Sequence, residues 1–339
     1  MKKRNKYFIK ILSILTVVPL LLLMGILGLA PYAQATDADY PNRPVEYVVP
    51  AGAGGDTDMF ARAIAPYMTK KLGQPVMVVN KPGGGGIVGA AYVLKQQKAD
   101  GYTVLADIHT WYPMLIAGMA NPPVGLDDRE DISRVAIYHL AYAVHADAPW
   151  KTFKEFGEWV KANPEKLTWG SVGPTAISAF AVYDWLLSIG ADPTKTRMVP
   201  TKGGTDSITK LAGGHIVLSI QGVGEFYPLW KAGRIRVLAV QAEQRSPYMP
   251  DVPIPQEQGI KLHNILKWSA LTMRKGTPDG IIRKWEKGLA EMVQDPTFKE
   301  KVETLQGHIA YLNAQDMRKF ALEEIKYYSE LAAKIGLRK

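Results

Sequence analysis

Short apolar runs of strand type alternate with helical segments along this chain, and glycine-rich turns separate them. Val45–Val49 is the first such run, and a helical stretch follows at Asp58–Leu72 and ends at Gly73. Val76–Val79 and Thr103–Ala106 are the next strands, with a glycine loop and a helix between them. This alternation predicts βαβ units and a parallel sheet. We therefore expect an α/β protein whose ligand binds beyond the carboxyl ends of the strands.

The second half of the chain repeats the alternation with different residues. Its predicted strands are Ala141–His145, Leu167–Gly170, Arg197–Pro200, Ile216–Ile220 and Val237–Val240. A proline-rich stretch, Pro247–Pro255, then predicts a crossing or linker before the C-terminal helices. The pattern predicts two α/β lobes, with the C-terminal helices returning to the first lobe.

Composition narrows the class of protein. The chain has 339 residues, of which 47% are hydrophobic, as in an ordinary globular protein. It contains no cysteine, which excludes disulfides, thiolate metal sites and cysteine nucleophiles. Of its 41 lysines and arginines, five lie before residue 36, where the sequence has no acidic residue, so the remainder is nearly balanced by 32 acids. This balance does not favour nucleic acid as a partner.

The first 35 residues have the pattern of a secretory signal peptide. A basic stretch at Met1–Lys10 precedes an apolar stretch at Ile11–Ala30, and Ala33–Ala35 has the small-residue pattern of a cleavage site. An uncleaved membrane anchor is the alternative, because about twenty apolar residues can span a bilayer. Proline and glycine within the apolar stretch favour cleavage after Ala35. We therefore expect an exported, periplasmic protein.

Motifs for enzyme chemistry are weak. Gly84–Gly89 matches G-x-G-x-x-G, and Asp107 closes the next strand, as in a dinucleotide site. However, Asn80–Pro82 separates the preceding strand from the glycines, so the tight turn is missing. The six histidines are scattered and lack the spacing of a zinc site. Ser171 does not match the G-x-S-x-G elbow of hydrolases, because Trp169 occupies the first glycine position. We predict no catalytic residue, metal or cofactor; a secreted α/β enzyme acting on a small anion is the alternative.

Three loops are instead predicted to bind an anion, namely Ala51–Asp58, Ser171–Thr175 and Lys202–Asp206. Each follows a strand and opens a helix, so free backbone N–H groups and the positive helix end point to one place. Glycine pairs in the first and third loops allow a ligand to approach the backbone closely. Any one loop could simply cap its helix. Three such loops on two lobes together favour a shared anion site.

Several motifs resemble those of the binding proteins of tripartite tricarboxylate transporters. They are Tyr40–Pro50, Gly54–Asp58, Leu72–Val76, Asn80–Gly89, Ala99–Thr103, Gly170–Gly173, Lys202–Gly204, Leu211–His215 and Gly276–Pro278. They occur in the order of that family and span nearly all of the chain after the signal peptide. The resemblance also accounts for the glycine motif without a nucleotide.

The resemblance implies a two-lobed periplasmic binding protein fold, each lobe a mostly parallel sheet flanked by helices, with the ligand cleft between them. We expect lobe one at residues 40–136 and 246–339 and lobe two at residues 137–245. The chain would cross near Asp131–Tyr138 and Gln241–Pro247, and these crossings would act as a hinge. The resemblance further implies a monomer that captures a small di-, tri- or aromatic carboxylate and delivers it to the membrane subunits of the transporter.

The three loops and the resemblance together select the candidate ligand-binding residues. They are Ala51, Gly54, Gly55, Asp56, Thr57, Asp58, His109, Thr110, Ser171, Val172, Gly173, Thr175, Lys202, Gly203, Asp206 and Gln221. The carboxylate is expected to meet backbone N–H groups and neutral hydroxyls, because Lys202 is the only cation in the three loops. Asp58 and Asp206 are expected to cap helices or to accept from loop amides.

The sequence leaves the identity of the acid open. Thr201 stands where many members of the family have tyrosine, so the resemblance does not extend to the identity of the ligand. Trp111, Tyr112 and Trp169 lie near loop ends and could stack on an aromatic acid. Solitary aromatic residues belong more often to the core or to the rim of a site.

Overall fold

The computed structural model of the protein describes residues 39–337. The predicted signal peptide and its cleavage site lie outside the described residues. The elements below all belong to the compact unit that begins at Pro41. Among them, no helix combines the length and the apolar character that a membrane crossing requires.

The described residues contain eleven strands and ten α-helices. The strands are β1 (Val45–Val49), β2 (Val76–Asn80), β3 (Thr103–Asp107), β4 (Arg129–Tyr138), β5 (Leu140–His145), β6 (Thr168–Ser171), β7 (Arg197–Pro200), β8 (Ser219–Gly222), β9 (Ile235–Gln241), β10 (Lys267–Arg274) and β11 (His308–Leu312). The helices are α1 (Asp56–Leu72), α2 (Ile87–Ala91), α3 (Pro113–Gly118), α4 (Phe153–Ala162), α5 (Ile177–Ser188), α6 (Gly204–Ala212), α7 (Val223–Lys231), α8 (Asp279–Met292), α9 (Pro296–Thr304) and α10 (Ala314–Lys334).

The larger sheet has the strand order β11-β4-β10-β3-β1-β2. β1 pairs in parallel with both β2 and β3, as the predicted βαβ units require. β10 pairs antiparallel with β3 and β4, and β11 pairs antiparallel with β4. The sheet is therefore parallel where helices connect successive strands and antiparallel where the chain returns to it from the second half.

Two smaller sheets form in the second half of the chain. β5 lies between β8 and β9 and pairs antiparallel with both, whereas β6 and β7 form a parallel pair. A parallel bridge between Trp169 and Leu218 connects the two sheets. Helices pack on these sheets as on the larger one, so the α/β prediction is confirmed.

The chain passes between the sheets at two places. β4 ends at Tyr138 and β5 begins two residues later, so the first crossing is at His139. The second lies between Gln241, which ends β9, and Lys267, which begins β10. Within it, Met249, Val252 and Ile254 are buried in one apolar cluster with residues of β5, α7 and β9. The segment therefore stays with the smaller sheets beyond residue 246, because its apolar side chains are buried there.

Helix α1 shows how the local sequence sets an element that shapes the cleft. Phe60, Ile64 and Met68 recur at helical spacing and are buried. The helix ends at Gly73, whose φ of 73° is left-handed and whose N–H donates to the carbonyl of Thr69 at 3.0 Å. The predicted end at Gly73 is confirmed, and the helix begins two residues earlier than predicted.

The C-terminal helix α10 packs against both halves of the chain. It lies beside α3 and β4, as the predicted return to the first lobe requires. Tyr328 also contacts Phe180 of α5, with ring centroids 5.1 Å apart, and the Tyr327 hydroxyl donates to Asp184 of α5 at 2.9 Å. α10 therefore contacts both halves of the chain.

Candidate functional site

A cavity of about 400 Å³, which we call the ligand cavity, lies beyond the carboxyl ends of β1 and β3 and is bordered on its other sides by α5, α6, β8 and α7. Both halves of the chain contribute to its wall. This is the location at which a parallel α/β sheet places its ligand, and the volume is typical of a small-molecule site.

Three helix N-termini line this cavity. Their N-cap residues are Gly55 for α1, Ala176 for α5 and Gly203 for α6, and none of these has a side-chain oxygen that could accept from the first turn. The first-turn residues that line the cavity are Asp56, Thr57, Ile177, Ser178, Gly204, Thr205 and Asp206. The first N–H groups of a helix have no intrahelical partner, and the helix dipole makes this end positive. Three such ends at one cavity form an arrangement of the kind that favours an anion.

The floor of the cavity holds a buried cluster of three charged side chains, which we call the lysine triad. Lys267 Nζ lies 2.5 Å from Asp56 Oδ2 and 2.6 Å from Glu225 Oε2. The side chains of Lys267, Asp56 and Glu225 are only 8%, 5% and 7% exposed. Asp56 belongs to α1, Glu225 to α7 and Lys267 to β10, so the triad joins the two halves of the chain at the cleft.

The triad has one more acid than it has bases, and this excess shifts its proton affinities. Burial, with the neighbouring charge of Glu225, raises the pKa of Asp56 to about 7. Burial alone would raise the pKa of Glu225, but Lys267 holds it below its usual value. The two carboxylates keep the pKa of Lys267 raised against the effect of burial. Below pH 7 the cluster therefore holds a proton on Asp56 and is neutral.

Gly204 allows this cluster to lie against the start of α6. A Cβ atom at Gly204 would lie 2.1 Å from Glu225 Oε1, so any larger residue would displace the carboxylate. Glycine at this position therefore places the α6 N-terminus beside the triad.

His109 lies in the same wall and is fully buried. Its Nδ1 accepts from the Trp268 backbone N–H at 3.3 Å, which leaves the ring proton on Nε2. Nε2 is buried without a partner in the described part of the chain. Burial and the charge of Lys267 lower the pKa of His109 well below its usual value, so the ring is neutral. Its Nε2–H is therefore a buried donor in the cavity wall with no partner among the described residues.

Most residues predicted from the sequence meet at this cavity. Those that line it are Ala51, Gly55, Asp56, Thr57, His109, Thr110, Val172, Lys202, Gly203, Asp206 and Gln221. Lys202 is exposed, and its backbone N–H donates to Asp206 at 2.9 Å. Asp206 also accepts from Lys210 at 2.5 Å, so this acid is satisfied within its own loop and helix.

Ser171, Gly54 and Asp58 lie outside the cavity lining. Ser171 is 1% exposed, and its hydroxyl donates to the Gly173 carbonyl at 2.8 Å and accepts from the Ser178 hydroxyl at 2.9 Å. It therefore stabilises its loop, and Ser178 is the serine that lines the cavity. Asp58 accepts from the Gly54 N–H at 2.9 Å, as expected of an acid that binds loop amides.

Gly173 and Thr175 line a neighbouring cavity rather than this one. Of the three candidate aromatic residues, Tyr112 and Trp169 are buried in apolar clusters and line none of the cavities described here, whereas Trp111 lines the ligand cavity. Asp107 is fully buried and accepts from Arg129 and Thr272, so it is not available to a ribose.

Sequence reasoning missed Lys267 and Glu225. Lys267 begins a strand whose remaining residues up to Met273 are buried, and a lysine at the start of such a run is the signal that could have indicated it. Glu225 is the third residue of α7 and accepts from the Gly222 N–H at 3.2 Å, which looks locally like an ordinary helix cap. Only the fold shows that it also binds Lys267.

Two groups of sheets joined by two crossings, with a ligand-sized cavity between helix N-termini, define a two-lobed solute-binding protein of the periplasmic type. The sequence model of the "Tripartite tricarboxylate transporter family receptor" matches residues 60–337. The chain therefore belongs to this family.

Individual relatives are similar to this chain in sequence and in fold. The chain is 33% identical over 315 residues to the "UPF0065 protein in gbd 5'region" of Cupriavidus necator, covering 92% of this chain and 94% of that protein. The solved periplasmic binding protein BugD is 28% identical to this chain and superposes with a TM-score of 0.80. The match covers 88% of this chain and 100% of BugD. A protein of R. palustris solved with adipate is 25% identical with a TM-score of 0.80, covering 88% of this chain and 99% of that one.

Proposed function

We propose that this protein captures a small carboxylate between its two lobes and delivers it to the membrane subunits of a tripartite tricarboxylate-type transporter. The observation that carries the proposal is the meeting of three helix N-termini at one cavity, each with an N-cap residue that has no side-chain oxygen. Unpaired N–H groups in this arrangement are donors for carboxylate oxygens.

The acidic residues in the wall are compatible with an anionic solute. Asp206 is paired with Lys210, and Asp56 and Glu225 share Lys267. When Asp56 holds its proton, the floor has no excess negative charge and Asp56 can itself donate a hydrogen bond. The positive helix ends then dominate the field in the cavity.

The family and a solved relative support the same solute class. The chain belongs to a family of transporter receptors, and the R. palustris relative was solved with adipate, a dicarboxylate. We infer that this protein acts in the periplasm after removal of the predicted signal peptide, as a monomer. It binds and releases its solute without converting it.

We place the hinge at His139 and in the segment between Gln241 and Lys267, where the chain passes between the sheets. Closure about these crossings would bring the N-termini of α5 and α6 towards that of α1. The lysine triad spans the same gap and would hold the lobes in register.

A thermal-shift screen of the chain without residues 1–35 against a carboxylate library tests the proposal. A carboxylate present at a hundred times its Kd should stabilise the fold by about 2.7 kcal/mol. The corresponding uncharged amides are the matched controls and should give no shift. Absence of stabilisation by any carboxylate, or conversion of a bound acid seen by mass spectrometry, would contradict the proposal.

A further inference from the structure

A second cavity, of about 500 Å³, adjoins the ligand cavity and shares Thr110, Trp111, Val172 and Ala176 with it. We call it the apolar annex; Ile87, Leu115, Met119, Pro174 and Leu337 are among the residues that line it. Among the described residues of its wall, none has a charged side chain, and Thr110 and Thr175 are the only ones with a polar side chain besides the Trp111 indole. The annex therefore offers an apolar environment directly beside the anion site.

Trp111 forms a fixed partition between the two cavities. The residue is 4% exposed, and its indole N–H donates to the Gly85 carbonyl at 2.6 Å. A Cβ atom at Gly86 would lie 1.7 Å from Trp111 Nε1, so the ring occupies space that only glycine leaves free. With its polar N–H satisfied by the loop, the ring presents apolar surface to a solute.

The two cavities differ in what they stabilise. The ligand cavity has the three helix N-termini, whose positive ends favour a carboxylate. The annex has no charged group within its described wall, so a carboxylate placed there would exchange hydration for no more side-chain donors than the Thr110 and Thr175 hydroxyls. A methylene or an aromatic ring placed there instead loses contact with water, which favours binding.

We infer that the solute of this protein has one carboxylate, held in the ligand cavity, and an uncharged apolar body that extends past Trp111 into the apolar annex. The inference rests on the proposed function and narrows its solute class: a monocarboxylate with an aliphatic or aromatic body binds in preference to a dicarboxylate of the same length.

Calorimetry with two matched ligand series tests this inference. The first series is the straight-chain monocarboxylates from butanoate to octanoate, and the second is the dicarboxylates of the same lengths. Affinity in the first series should increase by roughly fourfold for each methylene that enters the annex. Octanoate should bind at least tenfold more tightly than octanedioate. Equal or tighter binding of the dicarboxylate would overturn the inference.

Variants in the annex wall test whether the dependence of affinity on chain length arises from this cavity. Thr175→Glu introduces a carboxylate into the annex and should weaken octanoate binding at least tenfold. Ala120→Glu, at an exposed position of the same wall, should act in the same direction and cannot disturb a packed core. Thr297→Glu, at the exposed start of α9, is the matched control and should have no effect.

The possible results separate the inference from the proposed function. If carboxylates of both series bind without dependence on chain length, or if both annex variants bind octanoate as the parent protein does, the inference fails and the proposed function stands. If no carboxylate binds, the proposed function fails as well.

Discussion

Lys267 Nζ lies 2.5 Å from Asp56 Oδ2, although 211 residues separate the two in the chain. Glu225, from the second half, binds the same ammonium at 2.6 Å. The contact fixes the first turn of α1 against the start of β10 and brings α7 to the same point. This buried cluster therefore contributes both to the cavity wall and to the contact between the halves of the chain.

Replacing Lys267 by methionine should destabilise the protein by about 3–5 kcal/mol at pH 8, because two buried carboxylates lose their common partner. The destabilisation should be smaller at pH 5, where Asp56 holds a proton. Urea unfolding at both pH values measures the difference. Lys202→Ala, which removes an exposed lysine of the same cavity, should leave the midpoint unchanged, and equal effects of the two variants would contradict this assignment.

Asp56 should make folding stability fall as the pH rises. Its pKa is about 7 in the folded protein, above the ordinary value of 3.8, so the folded state binds more protons between these two values. The stabilisation of the folded state by the raised pKa of Asp56 is fully present below about pH 4 and is lost as the pH rises through about 7. The difference in unfolding free energy between the parent protein and Asp56→Asn should change by up to about 1.4 kcal/mol per pH unit in this window. A constant difference would exclude this role.

Carboxylate binding should take up a proton near neutral pH. A bound anion adds negative charge beside Asp56 and Glu225, which Lys267 and the neutral His109 cannot balance, so protonation of Asp56 becomes more favourable. Affinity should therefore rise as the pH falls through 7. Calorimetry in buffers of different ionisation enthalpy measures the proton uptake, and Asp56→Asn should abolish it. Proton release on binding would be the opposite result.

The Thr57 hydroxyl is expected to donate to the bound carboxylate, since Thr57 lies in the first turn of α1 and lines the cavity. Thr57→Val keeps the shape of the side chain and should weaken binding ten- to a hundredfold, as expected for the loss of about 1.5–3 kcal/mol. Thr297→Val is the control on an exposed helix start. If Lys202→Ala abolishes binding while Thr57→Val binds normally, a cationic clamp holds the solute instead.

Ser171 should affect stability rather than solute contact. Its buried hydroxyl connects the Gly173 carbonyl to the Ser178 hydroxyl, at 2.8 and 2.9 Å. Ser171→Ala leaves both groups without this partner and should lower the unfolding free energy by about 1–3 kcal/mol. Ser178→Ala, in the cavity wall, should reduce affinity more than it reduces stability. Thermal unfolding and calorimetry on both variants separate the two roles.

Much of the site follows from local sequence. Gly73 and the apolar spacing of Phe60, Ile64 and Met68 determine where α1 runs and ends, because helical periodicity and the left-handed cap are properties of a few neighbouring residues. Strand, glycine turn and helix in succession likewise place Thr57 and Gly203 at helix N-termini. The presence of three loops that lead into helix N-termini could therefore be predicted without the fold.

The sequence alone determined the α/β alternation, the three loops and the family, since each depends on short patterns along the chain. Tertiary structure decided which side chains of those loops face the cavity. It turned Ser171 inward, placed Trp111 between two cavities and brought Lys267 to Asp56 and Glu225. The physical reason is that burial and charge pairing depend on neighbours in space. Residues 211 positions apart became neighbours only when β10 paired with β3 and β4.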